Sequence, residues 1–516
     1  MEKVILSIDC GTQSLRALLF SAQGELLDKV QIEYAPYVST QPGWAEQDPD
    51  LYWETLFKAC LMLKGKNPDF FKKIAGVGVT TMRDTWVNVD KEGNPLRTTI
   101  HWLDQRKAKK IYSPNFLIKQ AVKVVGMDIL IDKIQKDAKC NWIMQNQPEI
   151  WEKTYKYMHI SGYLNFKLTG EFTDSVASQI GHIPFDYKKM KWLSKGALGE
   201  RLCPVESEKL LNLVHPGQQI GGITEKASKQ TGIMAGTPVI ACGSDRGCET
   251  LGMGVVDQKM ANLGFGTIAT IQTTSKKYSE PRRFLPPYPA PIPGHYNYEI
   301  DVYRGYWMVT WFKNEFAYKE ILEAKEKGIL PEEVLNQLLT KAPAGSMGLV
   351  LQPYWGPGLK NLEAKGAMIG FGSIHKKAHV YRAVIEGLGY ALLDGLRQIE
   401  KSGKVKVEKI TVSGGASQSD EICQITADIF NLPLVRGKTH ETSGLGAAIA
   451  TAAGIGLHPS FETAIKEMVN YGKEFKPDPK NAELYNKIYD RIYQKMYKSL
   501  KPFYEEIRDI TGYPEI

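Results

Sequence analysis

The sequence predicts an α/β protein of at least two domains, and three observations support this fold class. The chain has 516 residues, more than the ~250–300 at which a single hydrophobic core stops growing. Apolar β-rich runs alternate with amphipathic stretches along it. A strand, a Gly-Thr turn and a second strand occur twice, around Gly11-Thr12 in SIDCGTQSLRALLF and around Gly266-Thr267 in ANLGFGTIATIQTT. This weak internal repeat indicates two domains, each opening a nucleotide-sized cleft with the same element.

The first half begins as a meander of three strands, VILSID, LRALLF and QGELL. An amphipathic helix is predicted over 50–64, directly after the start signal DP. The β-rich run KIAGVGVTT ends in the letters MRD, and a hairpin follows around EGNP. Residues 138–170 are predicted to be helical. The stretch TPVIACGSD over 237–245 is predicted to be a buried strand that ends in Asp245.

The second half repeats the pattern and then becomes more helical. After the strand, turn and strand of 259–274, a long helix is predicted over 377–401. A strand, a Gly-Gly turn and a helix follow in KITVSGGASQSDEICQITADIF, and the small residues of HETSGLGAAIATAAGIG predict a helix that packs closely on its neighbours. Near the C-terminus, tyrosines recur every four residues (Tyr485, Tyr489, Tyr493 and Tyr497). This spacing favours a helix packed on the body over a nucleic-acid surface.

Composition excludes several classes of protein. Hydrophobic residues make up 43% and charged residues 24%, which is ordinary for a globular protein. The net charge of +8 comes from 65 basic and 57 acidic residues that are interspersed, so no nucleic-acid partner is expected. No stretch approaches the ~18 apolar residues needed to span a bilayer. Seven scattered cysteines without a C-x-x-C pair favour a reducing cytosol. A cytoplasmic protein is expected, for which a homodimer is allowed but not indicated.

Common catalytic motifs are missing or incomplete. The letters GKT at 437–439 lack the glycine-rich loop of a phosphate-binding P-loop. The letters GFG at 264–266 continue into a β-rich run, which argues against a dinucleotide fingerprint. Neither H-E-x-x-H nor G-x-S-x-G occurs. Metalloprotease and serine hydrolase chemistry are therefore not supported.

Asp9 ends an apolar strand, where a carboxylate is costly unless a partner meets it. The following residues, Gly11 to Ser14, could present backbone N–H groups, two hydroxyls and an amide to an anion, with Arg16 on the returning strand. A hydrated Mg²⁺ between Asp9 and a phosphate would remove the repulsion between these two anions. The alternative is an ordinary hairpin in which Asp9 caps its own turn.

Three further stretches are candidates for a site. Asp245 would serve as a general base for an attacking hydroxyl, or else as the N-cap of the next helix. Arg83-Asp84 pairs a donor fork with an acceptor, which suits vicinal hydroxyls, although adjacent opposite charges often decorate a surface. Trp102 could form an apolar wall for the carbon side of a polyol, or be part of a core.

The turn Gly414-Gly415-Ala416 precedes a predicted helix whose start carries Ser417 and Ser419. Glycines at this place could let a flat adenine ring lie against the backbone. They could equally serve only to tighten a connection between a strand and a helix.

Together these stretches resemble the FGGY family of carbohydrate kinases, within the actin/Hsp70/hexokinase-like ATPase superfamily, over roughly residues 4 to 480. DCGTQSLRA at 9–17 and GFGT at 264–267 resemble its two phosphate loops. KCNW at 139–142 and GAMIGFGSIHKKAHVYRAVIEG at 366–387 resemble its two signatures. SGGASQS and ETSGLGAA resemble its adenosine segment. The resemblance implies two actin/ribonuclease H-like domains with a cleft between them.

The resemblance also implies domain limits and roles. Residues 1–253 would form the N-terminal domain with the sugar site and first phosphate loop, 254–470 the C-terminal domain with the second loop and adenosine site, and 471–516 a helical extension. Asp245 would be the catalytic base, which also contacts substrate, and Asp9 would hold Mg²⁺ through water. The ATP phosphates would contact Thr12, Gln13, Ser14, Arg16 and Thr267, and the same loops include Gly11 and Gly266. Gly414, Gly415, Ala416 and Ser419 would line the adenosine site, and Arg83, Asp84 and Trp102 would bind substrate hydroxyls.

Two departures from the family pattern concern the substrate. Arg246 stands where glycerol kinases carry a substrate-binding Gln, and the stretch 355–366 lacks the usual Arg and Asp. The function expected is therefore ATP- and Mg²⁺-dependent phosphorylation of a hydroxyl on a small sugar, ketose or polyol, of xylulose, glycerol or autoinducer type. The alternative is a non-metabolic ATPase of the same superfamily, acting as a filament or chaperone-like switch.

Overall fold

The structure is a computed structural model that describes residues 3–113, 120, 127–282, 285–355 and 363–513. Strands of the first half are β1 (Val4–Cys10), β2 (Ser14–Ser21), β3 (Leu26–Glu33), β4 (Glu46–Gln47), β5 (Ile74–Thr81), β6 (Trp86–Val89), β7 (Thr99–Ile100), β8 (Lys156–His159), β9 (Thr173–Ser175), β10 (Phe185–Asp186), β11 (Lys191–Trp192), β12 (Asn212–Val214), β13 (Gln219–Gly222) and β14 (Pro238–Ile240). Its helices are α1 (Pro49–Lys66), α2 (Pro68–Phe71), α3 (Asp128–Asp137), α4 (Lys139–Asn146), α5 (Pro148–Lys153), α6 (Ile160–Thr169), α7 (Leu198–Leu202), α8 (Glu225–Thr231) and α9 (Asp245–Gly252).

A six-stranded sheet in the order β13-β14-β5-β1-β2-β3 forms the centre of the first half. Strand β1 is antiparallel to β2 and parallel to β5. Every residue of β1 is buried, because the strand is central and covered on both faces. A smaller sheet, β4-β7-β6-β8, contains the hairpin predicted around EGNP.

The second half contains β15 (Met260–Phe265), β16 (Ala269–Ser275), β17 (Tyr288–Pro289), β18 (Tyr296–Val302), β19 (Val350–Gln352), β20 (Ala367–Ile369), β21 (Lys409–Ser413), β22 (Leu434–Gly437) and β23 (Tyr471–Phe475). Its helices are α10 (Trp307–Phe316), α11 (Tyr318–Lys327), α12 (Pro331–Asn336), α13 (Lys377–Gly403), α14 (Asp420–Phe430), α15 (Thr442–Gly454), α16 (Phe461–Met468), α17 (Pro479–Ile488) and α18 (Gln494–Thr511).

The second sheet repeats the pairing of the first. Its order is β17-β18-β16-β15-β21-β22-β23, and β15 is antiparallel to β16 and parallel to β21. Strand β18 pairs antiparallel with β16, as β3 does with β2. The predicted duplication of a strand, a Gly-Thr turn and a strand is therefore confirmed by the topology.

Helices α9 and α15 cross closely between the two sheets. A Cβ on Gly446 of α15 would lie 1.8 Å from the Cys248 carbonyl oxygen, and one on Gly252 of α9 would lie 2.0 Å from that of Thr442. Only glycine allows backbones to approach so near. The small residues of α15 thus pack as predicted, and their apolar cluster includes Leu18 and Phe20 of β2.

Three sequence-based expectations need correction. The stretch 138–170 is not continuously helical, since β8 interrupts it and pairs with β6. The strand expected over 237–245 is limited to β14, and Asp245 begins α9 instead of ending a strand. Strand β23, within the stretch predicted as a helical extension, pairs with β22 of the second sheet. The loop at 355–366, which departs from the family pattern, lies largely outside the described residues.

The C-terminal tyrosines pack on the second core, as predicted. Tyr485, Tyr489 and Tyr493 are buried in it, and a π-helical turn at Tyr489–Tyr493 joins α17 to α18. All seven cysteines are buried and free of disulfides. No helix in the described part of the chain has the length and apolar character needed to cross a bilayer.

Candidate active site

The first Gly-Thr turn closes a tight hairpin between β1 and β2. Gly11 donates its backbone N–H to the Ser14 carbonyl oxygen at 3.0 Å, and Tyr34 donates its hydroxyl to the Gly11 carbonyl at 2.6 Å. The amides of Thr12 and Gln13 lie between the strands, and within the described residues neither donates to an intramolecular acceptor. The tip therefore leaves two amide donors available to an anion.

Asp9 lies at the end of β1, directly opposite Arg16 in the register with β2. It is only 5% exposed, and Arg16 Nη1 donates to its Oδ2 at 3.0 Å. Burial raises the pKa of Asp9 to about 6; Arg16 opposes this rise, whereas Asp245 and Glu441 add to it. Asp9 is thus met by a cation from the returning strand and does not act as a cap of its own turn.

The second Gly-Thr turn and the Gly414 turn lie side by side in the second half. Gly414 has a φ of +84°, and a Cβ there would lie 2.9 Å from the backbone of Phe265, so the position requires glycine. A Cβ on Gly415 would meet nothing within 4 Å, which leaves open space over this residue. Thr267 is exposed at the tip of its turn, next to Gly266, whose carbonyl accepts the Tyr306 amide.

A cavity of about 340 Å³, here called the nucleotide cavity, joins the two halves. Its lining comprises Asp9, Arg16, Glu249, Gly414, Gly415, Gln418, His440, Glu441, Thr442 and Ser443. Four of the predicted cofactor residues meet there: Asp9, Arg16, Gly414 and Gly415. The others lie outside its lining: Gly11, Thr12, Gln13, Ser14, Gly266, Thr267, Ala416 and Ser419. The hydroxyl of Ser419 accepts the Ile422 amide at 3.2 Å as the N-cap of α14.

A second cavity of about 490 Å³, here called the acceptor cavity, contains every predicted substrate residue. Its lining includes Thr12, Arg83, Asp84, Trp102, His182, Asp245, Arg246, Tyr288, Glu299, Asp301 and Tyr303. Trp102 donates its indole Nε1–H to the Thr12 hydroxyl at 3.0 Å. This bond connects the first Gly-Thr turn to the wall of the acceptor cavity.

Asp245 is the first residue of α9, and Ser244 is the N-cap, since its hydroxyl accepts the Gly247 amide. The alternative role of Asp245 as the cap is therefore wrong. Its Oδ1 accepts the backbone N–H of Arg246 at 2.8 Å, and no described side chain donates a hydrogen bond to the carboxylate. Burial raises the pKa of Asp245, against the opposing charges of Arg83 and Arg246. A carboxylate with a raised pKa and a free oxygen in a cavity can accept a proton from a hydroxyl.

Arg83 and Asp84 are not surface decoration, since their side chains are 13% and 21% exposed. Arg83 donates from Nε to the Ser244 hydroxyl at 3.0 Å, while its buried Nη2 has no partner among the described residues. Both oxygens of Asp84 are engaged: Oδ1 accepts Trp86 Nε1 at 2.9 Å, and Oδ2 accepts Lys139 Nζ at 2.6 Å. Burial alone would raise the pKa of Asp84, but Lys139 and His182 hold it well below its usual range.

Sequence reasoning missed the acidic residues that meet these arginines. Glu299 and Asp301 lie on β18 and accept hydrogen bonds from Arg83 and Arg246 across the cleft. Neither belongs to a recognisable motif, and each is far from the arginines in sequence. The only local signal was the letters EID near the end of an apolar strand, the same feature that drew attention to Asp9.

Comparisons with known proteins agree with this architecture. The structure of gluconate kinase from Lactobacillus acidophilus superimposes with a TM-score of 0.82 at 24% identity, over 98% of this chain and 100% of that one. Two α/β halves with repeated sheets around a cleft define the two-domain actin/ribonuclease H-like ATPase fold.

Residues 4–252 match the N-terminal domain and residues 260–455 the C-terminal domain of the FGGY family of carbohydrate kinases. The chain belongs to this family and is a sugar phosphotransferase. The uncharacterized sugar kinase YgcE of Escherichia coli K12 is 28% identical over 94% of this chain and 91% of that protein. A xylulose kinase of Lactococcus lactis is 27% identical over 94% of each chain. These matches do not favour the filament or chaperone-like ATPase.

Proposed function

We propose that the chain transfers the γ-phosphoryl group of ATP to a hydroxyl of a small sugar, ketose or polyol, with Asp245 as the general base. The observation that supports this role is the placement of Asp245. It begins α9 in the acceptor cavity, its carboxylate receives no side-chain donor within the described residues, and its charge acts on Asp9 of the nucleotide cavity. A base between the two cavities is where a hydroxyl would meet a phosphate.

The residues of the nucleotide cavity fit a phosphate chain. Arg16 supplies a cation, and the open backbone at Gly415 leaves room for a planar base. Outside the lining of this cavity, at the first Gly-Thr turn, the amides of Thr12 and Gln13 donate to no acceptor among the described residues and are further anion donors. Asp9 fits Mg²⁺, which retains several waters and needs only one or two carboxylates. When bound, this ion would neutralise charge that develops on the transferred group.

The residues of the acceptor cavity fit a polyhydroxylated molecule. Among the described residues, Arg83 Nη2 is a donor without a partner, and Asp245 is an acceptor without a side-chain donor. Trp102 offers an apolar wall, and its hydrogen bond to the Thr12 hydroxyl keeps that wall next to the first Gly-Thr turn. Asp245 accepts the hydroxyl proton as the oxygen bonds to phosphorus and ADP leaves. Closure of the two halves excludes water, which limits hydrolysis of ATP.

Replacement of the base tests the proposal. Asp245→Asn keeps the volume of the side chain but removes its basicity, so turnover should fall by about 10²–10⁴-fold while ATP still binds. The measurement is ADP release by wild type and variant with xylulose, ribulose, glycerol, erythritol, gluconate and the autoinducer precursor as acceptors. Asp257→Asn, the same change at an exposed position, is the matched control. Turnover close to wild type in Asp245→Asn would reject Asp245 as the base.

A further inference from the structure

The acceptor cavity is crossed by an ion network that joins the two halves. Glu299, on β18 of the second half, accepts hydrogen bonds on Oε1 from Arg83 Nη1 and from Arg246 Nη1, each at 2.8 Å. Arg246 Nη1 also donates to Asp301 Oδ1 at 2.7 Å. Arg83 follows β5 of the first half, so the network forms only when both halves are together.

Glu299 is held in place from its other side. Its Oε2 accepts a hydrogen bond from Gln272 Nε2 at 2.7 Å, and the side-chain oxygen Oε1 of Gln272 accepts the Thr250 hydroxyl of α9. The Glu299 side chain is 3% exposed, and Gln272 is fully buried. Ion pairs in such a water-poor setting are strongly coupled, and loss of one partner leaves the other uncompensated.

The network leaves the acceptor cavity without an unpaired cation. Each described arginine or lysine of its lining has a carboxylate partner: Arg83 has Glu299, Arg246 has Glu299 and Asp301, and Lys133 has Asp137. Lys139, behind the wall, is paired with Asp84. Within the described residues no cation forms an ion pair with Asp245, and the lining carries five carboxylates against three cations, so the charge balance of the cavity is negative.

From this charge balance we propose that Glu299 and Asp301 are specificity-determining residues, which make the cavity select an uncharged polyhydroxylated acceptor over a sugar acid. The inference rests on the proposed kinase function and adds the substrate class. The carboxylate of a sugar acid would lose its hydration shell in a cavity whose cations are already paired with carboxylates. It would also lie near the negative charge of Asp245. Hydroxyls need no cation, and they match the free donor on Arg83 and the free acceptor on Asp245.

The experiment replaces Glu299 and Asp301 by their neutral amides and measures the preference between a sugar acid and an uncharged sugar as acceptor. In Glu299→Gln/Asp301→Asn, both arginines lose their counter-charge, and the charge balance of the described lining changes from negative to neutral, with three carboxylates and three cations. The ratio of kcat/KM for gluconate to that for xylulose should rise by at least about tenfold, since opposing a like charge costs several kcal/mol. Glu46→Gln is the matched control, because Glu46 also accepts from two arginines, Arg97 and Arg106, each at 2.7 Å, but lies outside the cavity lining. Its ratio should equal that of wild type.

If the double variant melts at a lower temperature than wild type, Asp301→Asn alone is the milder alternative, since the Asp301 side chain is 26% exposed. It should shift the ratio in the same direction by a smaller factor. An unchanged ratio in a folded variant, or a wild-type protein that prefers gluconate to every uncharged acceptor, would overturn this inference and leave the kinase function standing. Absence of ADP release with every acceptor would instead overturn the proposed function, and this inference with it.

Discussion

Asp9 and Asp245 are carboxylates that the fold holds away from water at the two sides of one reaction site. Burial raises the pKa of both, and the charge of Asp245 adds to the rise at Asp9. Their partners differ: Asp9 accepts a hydrogen bond from Arg16 at 3.0 Å, whereas the Asp245 carboxylate accepts one from the Arg246 backbone amide and from no side chain among the described residues. Asp9, which is paired with Arg16, suits the binding of a hydrated cation. Asp245, which has no side-chain donor among the described residues, suits proton transfer.

The pH dependence of activity should reflect these two groups. The pKa of Asp9 is raised to about 6, and that of Asp245 is also raised. Each carboxyl group must lose its proton before it can act. We therefore expect kcat/KM to fall as the pH is lowered through about 6. The measurement is a pH profile of kcat/KM between about pH 5 and pH 8.

The melting temperature measured over the same range is the control for this profile. A folded-state pKa above the ordinary value of 3.8 means that protonation of Asp9 relieves a cost of folding. The loss of activity near pH 6 should therefore not be accompanied by unfolding driven by this group. A level profile down to about pH 5 would contradict the assignment of both residues.

The crossing of α9 and α15 is the element that fixes the site. Helix α9 presents Asp245 at its first residue, and α15 begins beside Glu441 and the nucleotide cavity. Close packing at Gly252 and Gly446 sets the distance between these two helix starts. The geometry of the candidate site therefore depends on two glycines that line neither cavity.

Gly446→Ala tests this dependence. The new methyl group would lie 1.8 Å from the Cys248 carbonyl oxygen, so the helices must separate, at a cost of about 1–3 kcal/mol or more. We expect a lower melting temperature together with lower kcat, because Asp245 moves with α9. Gly65→Ala in α1 is the control: a methyl group there meets nothing within 4 Å, and alanine favours a helix by up to about 1 kcal/mol. Equal melting temperatures in the two variants would refute the packing argument.

At the scale of the whole molecule, the two halves share a core. The cluster around α15 includes Ile5, Leu18 and Phe20 from the first sheet and Cys248 and Leu251 from α9. The polar contacts are shared as well, since Glu441 contacts Lys29 at 2.6 Å and Glu299 contacts Arg83 at 2.8 Å. Each half has a core cluster of its own, and both halves add apolar side chains to this shared cluster.

The full chain should consequently unfold as one cooperative unit. Differential scanning calorimetry is the measurement, and we expect a single heat-absorption peak. Leu445→Ala, in the shared cluster, should move this peak down by the loss of about 2–5 kcal/mol without splitting it. Two separated peaks in the wild-type protein would show that the halves unfold independently.

The sequence by itself determined the repeated strand, Gly-Thr turn and strand, and it predicted helices over 50–64, over 377–401 and in HETSGLGAAIATAAGIG, which the structure has at Pro49–Lys66, Lys377–Gly403 and Thr442–Gly454. These features follow from local periodicity and from turn residues. The meeting of Asp9, Arg16, Gly414 and Gly415 in one cavity was implied by the family resemblance. The sequence also indicated that Arg83, Asp84, Trp102 and Asp245 belong together, as the acceptor cavity confirms. Their roles toward a substrate stay predictions.

Only the tertiary structure decided what those residues face. In the fold, Trp86 and Lys139 donate hydrogen bonds to the two carboxylate oxygens of Asp84. Ser244 is the N-cap of α9. Glu299 forms an ion pair with Arg83, and Asp301 forms one with Arg246. Such contacts join residues far apart in sequence, and a buried charge is paired by whichever group the packing of two sheets brings near. The charge of the acceptor cavity, on which the proposed class of acceptor rests, is therefore a property of the fold and not of any local motif.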